Sequence, residues 1–123
     1  MLPIRGVYEI AIRVKDLSVA EPFYRETLGL EFGLRGEKGN SVFLRAGGDA
    51  GMVVLVEDKG DWPAVHFAFT VEEADVERCA ELLRSRGVKV EGPVLHQWMP
   101  AKSLYFSDPD GHQLELCAPL ARP

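Results

Sequence analysis

The chain has few of the features that would point to particular classes of protein. It has only two cysteines, Cys79 and Cys117, and we interpret them as reduced thiols rather than as a disulfide. Lysine and arginine total 14 against 19 acidic residues, a net charge of -5, so no basic surface indicates a nucleic-acid partner. No apolar run approaches the length of a membrane span, and the opening MLPIRGVYEI lacks a signal-peptide core. We therefore expect a cytoplasmic protein that binds neither nucleic acid nor membrane.

What is present is the composition of one globular domain. The chain has 123 residues, of which 46% are hydrophobic and 27% are charged. A chain of this length and composition can bury a core without disulfides or a structural metal.

The same order of predicted elements occurs twice: a strand, a helix and then three shorter strands. Each first strand alternates in polarity, and each helix is expected to end at a glycine, Gly29 or Gly87. The predicted strands are residues 7–14, 30–35, 41–46 and 52–57 in the first half, and residues 65–71, 88–94, 102–106 and 113–118 in the second.

Both helices have possible start signals in the sequence. Ser18 and Glu21 have the spacing of a capping box, as do Thr70 and Glu73. Pro22 is expected in the first turn of the first helix, where a missing N–H group costs least.

These elements predict an α+β fold of two tandem βαβββ units. We place unit one at residues 1–57, a linker at 58–63 and unit two at 64–123. A unit this small covers only one face of its sheet with its helix. Two units must therefore associate, and their curved mixed sheets are expected to enclose a cavity.

Three polar residues occupy comparable places in these units. Glu9 lies on the first strand of unit one, His66 on the first strand of unit two, and Glu115 on its last strand. Their neighbours are apolar and would face the helices, so the three side chains would face the opposite side. An imidazole with two carboxylates suits a divalent metal such as Zn, Mn, Fe or Ni and leaves positions open for substrate. The alternative for each residue is an exposed group on an alternating strand.

Several other residues are candidates for contacting a substrate. Arg13 and Arg45 could clamp a carboxylate, although a solvated arginine is an equal reading of each. The segment HQWMPAKS, residues 96–103, includes Trp98 and Lys102 and is interpreted as a flexible lid or specificity loop. The alternative is an ordinary hairpin connection in which Trp98 folds back onto the core.

The segments YEIAIRVKDL, FYRETLGLEF and LYFSDPDGHQLEL resemble the vicinal-oxygen-chelate superfamily. Its members include glyoxalase I, fosfomycin-resistance enzymes, extradiol dioxygenases, methylmalonyl-CoA epimerase and bleomycin-binding proteins. The resemblance covers nearly the whole chain, and DPDGHQLEL is its most specific part. It implies the fold predicted above and a metal that binds two adjacent oxygens of a substrate.

The resemblance also assigns individual residues. His66 and Glu115 match metal-ligand positions, whereas Glu9 stands where the family most often has histidine. Aligned by glycines, Leu55 takes the fourth position and cannot bind metal. Tyr105 matches a substrate-facing tyrosine of the fosfomycin enzymes and is a candidate catalytic residue, as is Glu9, which could be a general base instead of a ligand.

The resemblance leaves three functions open. The first is a divalent-metal-dependent enzyme with lyase, isomerase or transferase chemistry on a small oxygen-rich substrate, through a metal-stabilised oxyanion. The second is a metal-independent protein that binds an antibiotic or another small molecule, and the third is a protein whose metal is structural. Family members of this length usually dimerise, so we expect a homodimer whose sites take Glu9 from one chain and His66 with Glu115 from the other.

Overall fold

The computed structural model of the protein describes residues 1–48 and 51–120. Its α+β architecture confirms the predicted fold class, with two four-stranded mixed sheets. The helices are α1 (Leu17–Pro22) and α2 (Val76–Ser85). The strands are β1 (Glu9–Val14), β2 (Glu31–Arg35), β3 (Ser41–Ala46), β4 (Gly51–Glu57), β5 (His66–Thr70), β6 (Glu91–His96), β7 (Ala101–Ser107) and β8 (Gln113–Pro119).

The two sheets have the same strand order. The first is β1-β4-β3-β2 and the second is β5-β8-β7-β6. In each, the first and last strands of the unit pair in parallel and the other pairs are antiparallel. The chain divides into two compact units, Met1–Trp62 and Pro63–Pro123. Within the described ranges, no helix is both long and apolar enough to cross a membrane.

The first helix starts earlier and ends differently than its sequence suggested. Asp16 is the N-cap, and its Oδ1 accepts a 2.9 Å hydrogen bond from the Ser18 N–H. The predicted capping box of Ser18 and Glu21 is therefore wrong. Pro22 is the last residue of α1 rather than part of its first turn, and a π-helical turn, Phe23–Thr27, continues the chain. The buried face of this segment includes Tyr24, which has no exposed surface.

The second helix begins after a short 3₁₀ turn. Thr70 is still part of β5, and the 3₁₀ turn spans Glu73–Asp75. The second predicted capping box is therefore also wrong. The apolar stripe of this helix is confirmed, because Val76, Ala80 and Leu83 are buried.

Half of the segment predicted to be a lid is strand. β6 continues to His96 and β7 begins at Ala101, so only residues 97–100 form the turn between them. The prediction of an eight-residue loop is therefore wrong, and a hairpin connection is correct. The accompanying prediction that Trp98 folds back onto the core is wrong as well, because this side chain is 81% exposed.

The Asp16 cap gives a first testable prediction. Its hydrogen bonds from Ser18 lower the pKa of Asp16 below its ordinary value of 3.8. A carboxyl group with a lowered folded-state pKa adds stability above its unfolded pKa, and this contribution is lost as pH falls through the folded value. Asp16→Ala should therefore lower the urea midpoint at pH 7, and the deficit should shrink below pH 3.8.

The matched control is Thr70→Ala, which removes the hydroxyl of the refuted capping box. It should move the midpoint less than Asp16→Ala does. Equal shifts in the two variants, or an Asp16→Ala deficit that does not depend on pH, would show that Asp16 does not cap α1.

Candidate metal and substrate site

The sheet of unit two has one face that carries polar side chains. His66 is the first residue of β5, and Glu115 lies on the neighbouring strand β8, paired with Ala68. His66 Nε2 lies 3.2 Å from Glu115 Oε1. The His66 side chain is 52% exposed and that of Glu115 only 10%. The structure thus brings two of the three predicted ligands together, with the imidazole open to solvent.

Glu115 is held in place from the third strand. Ser103 on β7 is fully buried, and its hydroxyl donates a 2.7 Å hydrogen bond to Glu115 Oε2. One carboxylate oxygen therefore faces His66 and the other is bound by Ser103. This arrangement fixes the orientation of the carboxylate before any ligand is present, as outer partners do for metal-binding carboxylates.

Tyr105 lies directly opposite Glu115 in the β7–β8 register. Its hydroxyl is 2.6 Å from Nε2 of His96. Burial raises the pKa of the Tyr105 hydroxyl above its ordinary value of 10.0; the hydrogen bond with Ser103 lowers this pKa, and the Glu115 charge raises it further. Tyr105 therefore keeps its proton at neutral pH. It can donate a hydrogen bond to a substrate oxygen but is a poor general base.

The Ser103 hydrogen bond predicts a measurable cost. Ser103→Ala should lower the free energy of unfolding of the metal-free protein by about 1–3 kcal/mol, because a buried carboxylate oxygen loses its donor. Urea denaturation followed by circular dichroism measures this difference.

Unit one supplies the matched control for this prediction. Ser41 pairs with Val56 as Ser103 pairs with Cys117, but the residue that corresponds to Glu115 is Val54. Ser41→Ala should therefore change the stability by no more than about 0.5 kcal/mol. Equal losses in the two variants would contradict the role given to Ser103.

Glu9 occupies the position in unit one that His66 occupies in unit two. Each is the first residue of its strand: Glu9 pairs with Met52 and His66 with Gln113. The same strand pairing corrects the glycine-based alignment. The partner of the residue two positions after Glu9 is Val54, and the partner of the residue two positions after His66 is Glu115. Val54, not Leu55, is therefore the counterpart of Glu115. Valine also lacks a ligand atom, so unit one still supplies no second ligand at this position.

The geometry of His66 and Glu115 fits two ligands of one divalent cation. Two ligands of a tetrahedral zinc ion lie about 3.3 Å apart when each bond is about 2.0–2.1 Å long, close to the 3.2 Å between Nε2 and Oε1. Across residues 1–48 and 51–120, no three His, Cys, Asp or Glu side chains gather into a metal-binding group. The pair would need further ligands from water, substrate or a side chain outside this cluster.

The other candidate residues are placed as follows. Arg13 lies on the same strand face as Glu9 and pairs with Asp58 at 2.7 Å. Arg45 pairs with Met52, which in turn pairs with Glu9, so Arg45 and Glu9 belong to one row across the sheet of unit one.

Two candidates of unit two lie outside the polar cluster, the group formed by His66, Glu115, Ser103, Tyr105 and His96. Lys102 points to the helix side, where its Nζ lies 2.5 Å from Glu77 of α2. Ser103 and Tyr105 share the side of β7 that faces Glu115, and Lys102, adjacent to Ser103, lies on the other side, so it is directed away from Glu115. Trp98 is exposed in the turn, and its ring lies edge-to-face with that of His96, 6.3 Å between centroids.

Sequence reasoning missed two members of the cluster. Ser103 was predicted both at the end of the loop segment and within the strand of residues 102–106, but it was not proposed as a site residue, although it alternates with Leu104 as Tyr105 does. His96 was included in the same loop, and no local pattern indicates its contact with Tyr105. The alternation could have identified Ser103, whereas His96 required the β6–β7 pairing.

The chain belongs to the Glyoxalase/Bleomycin resistance protein/Dioxygenase superfamily, whose sequence profile matches residues 6–116. This match confirms the family to which the sequence motifs pointed.

Individual relatives cover most of the chain. A protein named metallothiol transferase FosB, from Staphylococcus saprophyticus, is 27% identical over 120 residues, covering 92% of this chain and 76% of its own length. A glutathione transferase FosA from Serratia marcescens is 31% identical over 124 residues, with 92% and 80% coverage. Among solved structures, the integron cassette protein HFX_CASS4, from the mobile metagenome of the Halifax Harbour sewage outfall, is 48% identical with a TM-score of 0.89. The match covers 94% of this chain and 99% of that one.

Proposed function

We propose that the protein is a divalent-metal-dependent enzyme of this superfamily, in which His66, Glu115 and Glu9 hold the metal. The observation that carries the proposal is the 3.2 Å approach of His66 Nε2 to Glu115 Oε1. The pair presents a half-exposed ring nitrogen and a carboxylate oxygen at the spacing of two ligands of one cation, and buried Ser103 holds the other carboxylate oxygen. The proposed cations are Zn, Mn, Fe or Ni, which accept mixed nitrogen and oxygen ligands.

The site residues have separate proposed roles. When bound, the cation would supply Lewis-acid stabilisation of negative charge on a substrate oxygen. Tyr105, which stays protonated, donates a hydrogen bond to the substrate. Arg13 and Arg45, on the Glu9 face of unit one, attract an anionic substrate group. Glu9 is proposed as the third ligand, with general base as the alternative role.

We further propose that the enzyme is a cytoplasmic homodimer in which Glu9 of one chain completes the site of the other. This arrangement is compatible with the absence of a third ligand beside His66 and Glu115 within the described part of a single chain. Glu9 occupies the His66-equivalent position of unit one. A two-fold dimer would reuse both polar faces and form two identical sites.

Thiol transfer is the reaction we propose to test first, because both curated relatives are named as transferases of thiols. The assay combines glutathione or L-cysteine with the epoxide fosfomycin and follows loss of the free thiol. Mn²⁺ or Zn²⁺ should be required, and EDTA should abolish turnover.

Metal analysis tests the class independently of the substrate. Protein purified without added metal and then incubated with Zn²⁺ should retain about one ion per chain after desalting, whereas His66→Ala should retain none. A wild-type protein that stays metal-free near neutral pH would contradict the enzyme proposal.

The second candidate is a metal-independent binding protein, since the family description includes bleomycin-resistance proteins. The observation that favours it is the exposed ring of Trp98, which contacts His96 beside Tyr105 and could stack on a flat ligand. In that case an antibiotic such as bleomycin should raise the melting temperature equally with and without EDTA.

A further inference from the structure

The residue that precedes β5 is held at both of its backbone polar groups. The N–H of Val65 donates a 3.0 Å hydrogen bond to Nδ1 of His112. The carbonyl of Val65 accepts a 2.9 Å hydrogen bond from the N–H of Gln113. The next residue along the chain is His66, so these two bonds fix the point at which β5 begins.

His112 is itself held by the turn that leads into β8. Its side chain is part of the core, with 1% of the residue exposed. Oδ1 of the buried Asp108 accepts hydrogen bonds from the N–H groups of His112 and Asp110, at 2.8 and 2.9 Å. Because Nδ1 of His112 accepts from a backbone N–H, the neutral ring carries its proton on Nε2. The imidazole is thus a fixed acceptor, buried at the end of the parallel β5–β8 pair.

In unit one, the parallel pair β1–β4 begins without a histidine that accepts such a hydrogen bond. The Tyr8 carbonyl accepts from the N–H of Met52 at 2.9 Å, as the Val65 carbonyl accepts from Gln113. The residue that corresponds to His112 is Gly51, which has no side chain. The acceptor is therefore specific to the unit that contains His66 and Glu115.

The position of His66 depends strongly on its backbone. Its side chain is 52% exposed, so packing does little to hold the ring, and strand ends open more readily than strand centres. The 3.2 Å distance to Glu115 therefore relies on the bonds that hold Val65.

We propose that His112 is a positioning residue for the metal site. By accepting the Val65 N–H, it keeps the start of β5 closed and holds His66 Nε2 beside Glu115 Oε1. The inference depends on the proposed function only for the metal that His66 would bind.

The test compares two substitutions that separate the ring from its acceptor atom. His112→Phe keeps an aromatic ring but removes the acceptor, whereas His112→Asn keeps an acceptor close to the position of Nδ1 on a smaller side chain. Zn²⁺ affinity is measured by calorimetry, and protection of the Val65 amide by hydrogen exchange. Leu83→Ala, on α2, is the control for a general loss of stability.

His112→Phe should weaken Zn²⁺ binding by about 10–100-fold, the usual effect of removing an outer partner of a metal ligand, and should speed exchange of the Val65 amide. His112→Asn should retain most of both properties even if it melts at a lower temperature. Leu83→Ala should melt lower with unchanged affinity. In a His66→Ala background, His112→Phe should cause no further loss of affinity.

Two results would overturn the inference: wild-type affinity and Val65 protection in His112→Phe, or an equal loss of both in His112→Asn. If the wild-type protein binds no Zn²⁺, the proposed function fails, and Val65 exchange alone decides whether His112 holds β5. If His112→Phe does not fold, His112→Leu makes the same comparison.

Discussion

Replacing His66 with alanine is expected to lower the affinity for Zn²⁺ or Mn²⁺ by at least about 100-fold, since loss of a direct ligand should exceed the effect of an outer partner. His66 provides the only nitrogen of the proposed ligand set, and its Nε2 already lies at ligand-to-ligand distance from Glu115. Calorimetric titration of the metal-free protein measures the loss. Turnover at limiting metal should fall in parallel.

Two further variants make this result specific. Glu115→Gln should weaken binding in the same way, because the amide keeps the shape of the side chain but loses its charge. His96→Ala should leave the affinity unchanged, since His96 contacts Tyr105 instead of Glu115. Equal losses in His96→Ala and His66→Ala would mean that the metal is not held at the proposed position.

Mixed dimers that carry Glu9→Ala on one chain and His66→Ala on the other are expected to recover metal binding that neither parent shows. If each site takes Glu9 from one chain and His66 with Glu115 from its partner, one of the two sites in the mixed dimer is intact. The purified mixed dimer should bind about one ion per dimer, whereas each parent should bind almost none. Two different affinity tags allow its isolation after co-expression.

The control is the mixed dimer of His66→Ala and Glu115→Gln. Both residues belong to unit two, so each site then contains one defect and binding should not recover. Recovery in this control, or none in the Glu9 and His66 pair, would contradict sharing of the site between chains. A protein that is monomeric by light scattering would do the same.

Alternating polarity was sufficient to predict the sheets, because a period of two residues directly encodes which side of a strand is buried. Ile12 and Val14 are buried while Arg13 between them is exposed, as the pattern required. The helix starts were predicted less well. A serine and a glutamate three residues apart satisfy the capping pattern, but Asp16, two residues earlier, became the cap, and its Oδ1 accepts hydrogen bonds from the N–H and the hydroxyl of Ser18 itself.

The glycine-based comparison of the units failed for a physical reason. Gly111 has a φ of +85° and ends a turn two residues before β8. Gly51 is already the first residue of β4. The two glycines have different roles, so aligning the units by them matched Leu55, instead of Val54, with Glu115. A shift of one residue in a strand exchanges its two faces.

The candidate site was predicted only in part. His66 and Glu115 were found because each is a polar residue between apolar neighbours on its strand and because both match metal-ligand positions of the superfamily. The contact of Ser103 with Glu115 and that of His96 with Tyr105 depend on which strands pair and in which register. Those pairings join residues 12 and 9 positions apart in the chain, and no local pattern specifies them. The position of Lys102 was predictable, since it alternates with Ser103.

Crystals grown with Zn²⁺ and measured at the zinc absorption edge test the proposed metal site most directly. We expect one anomalous peak per chain, about 2.0–2.2 Å from His66 Nε2 and from Glu115 Oε1, with the Glu9 carboxylate of the partner chain as a further ligand. Zinc-saturated crystals with no peak within bonding distance of His66 and Glu115 would contradict the proposal.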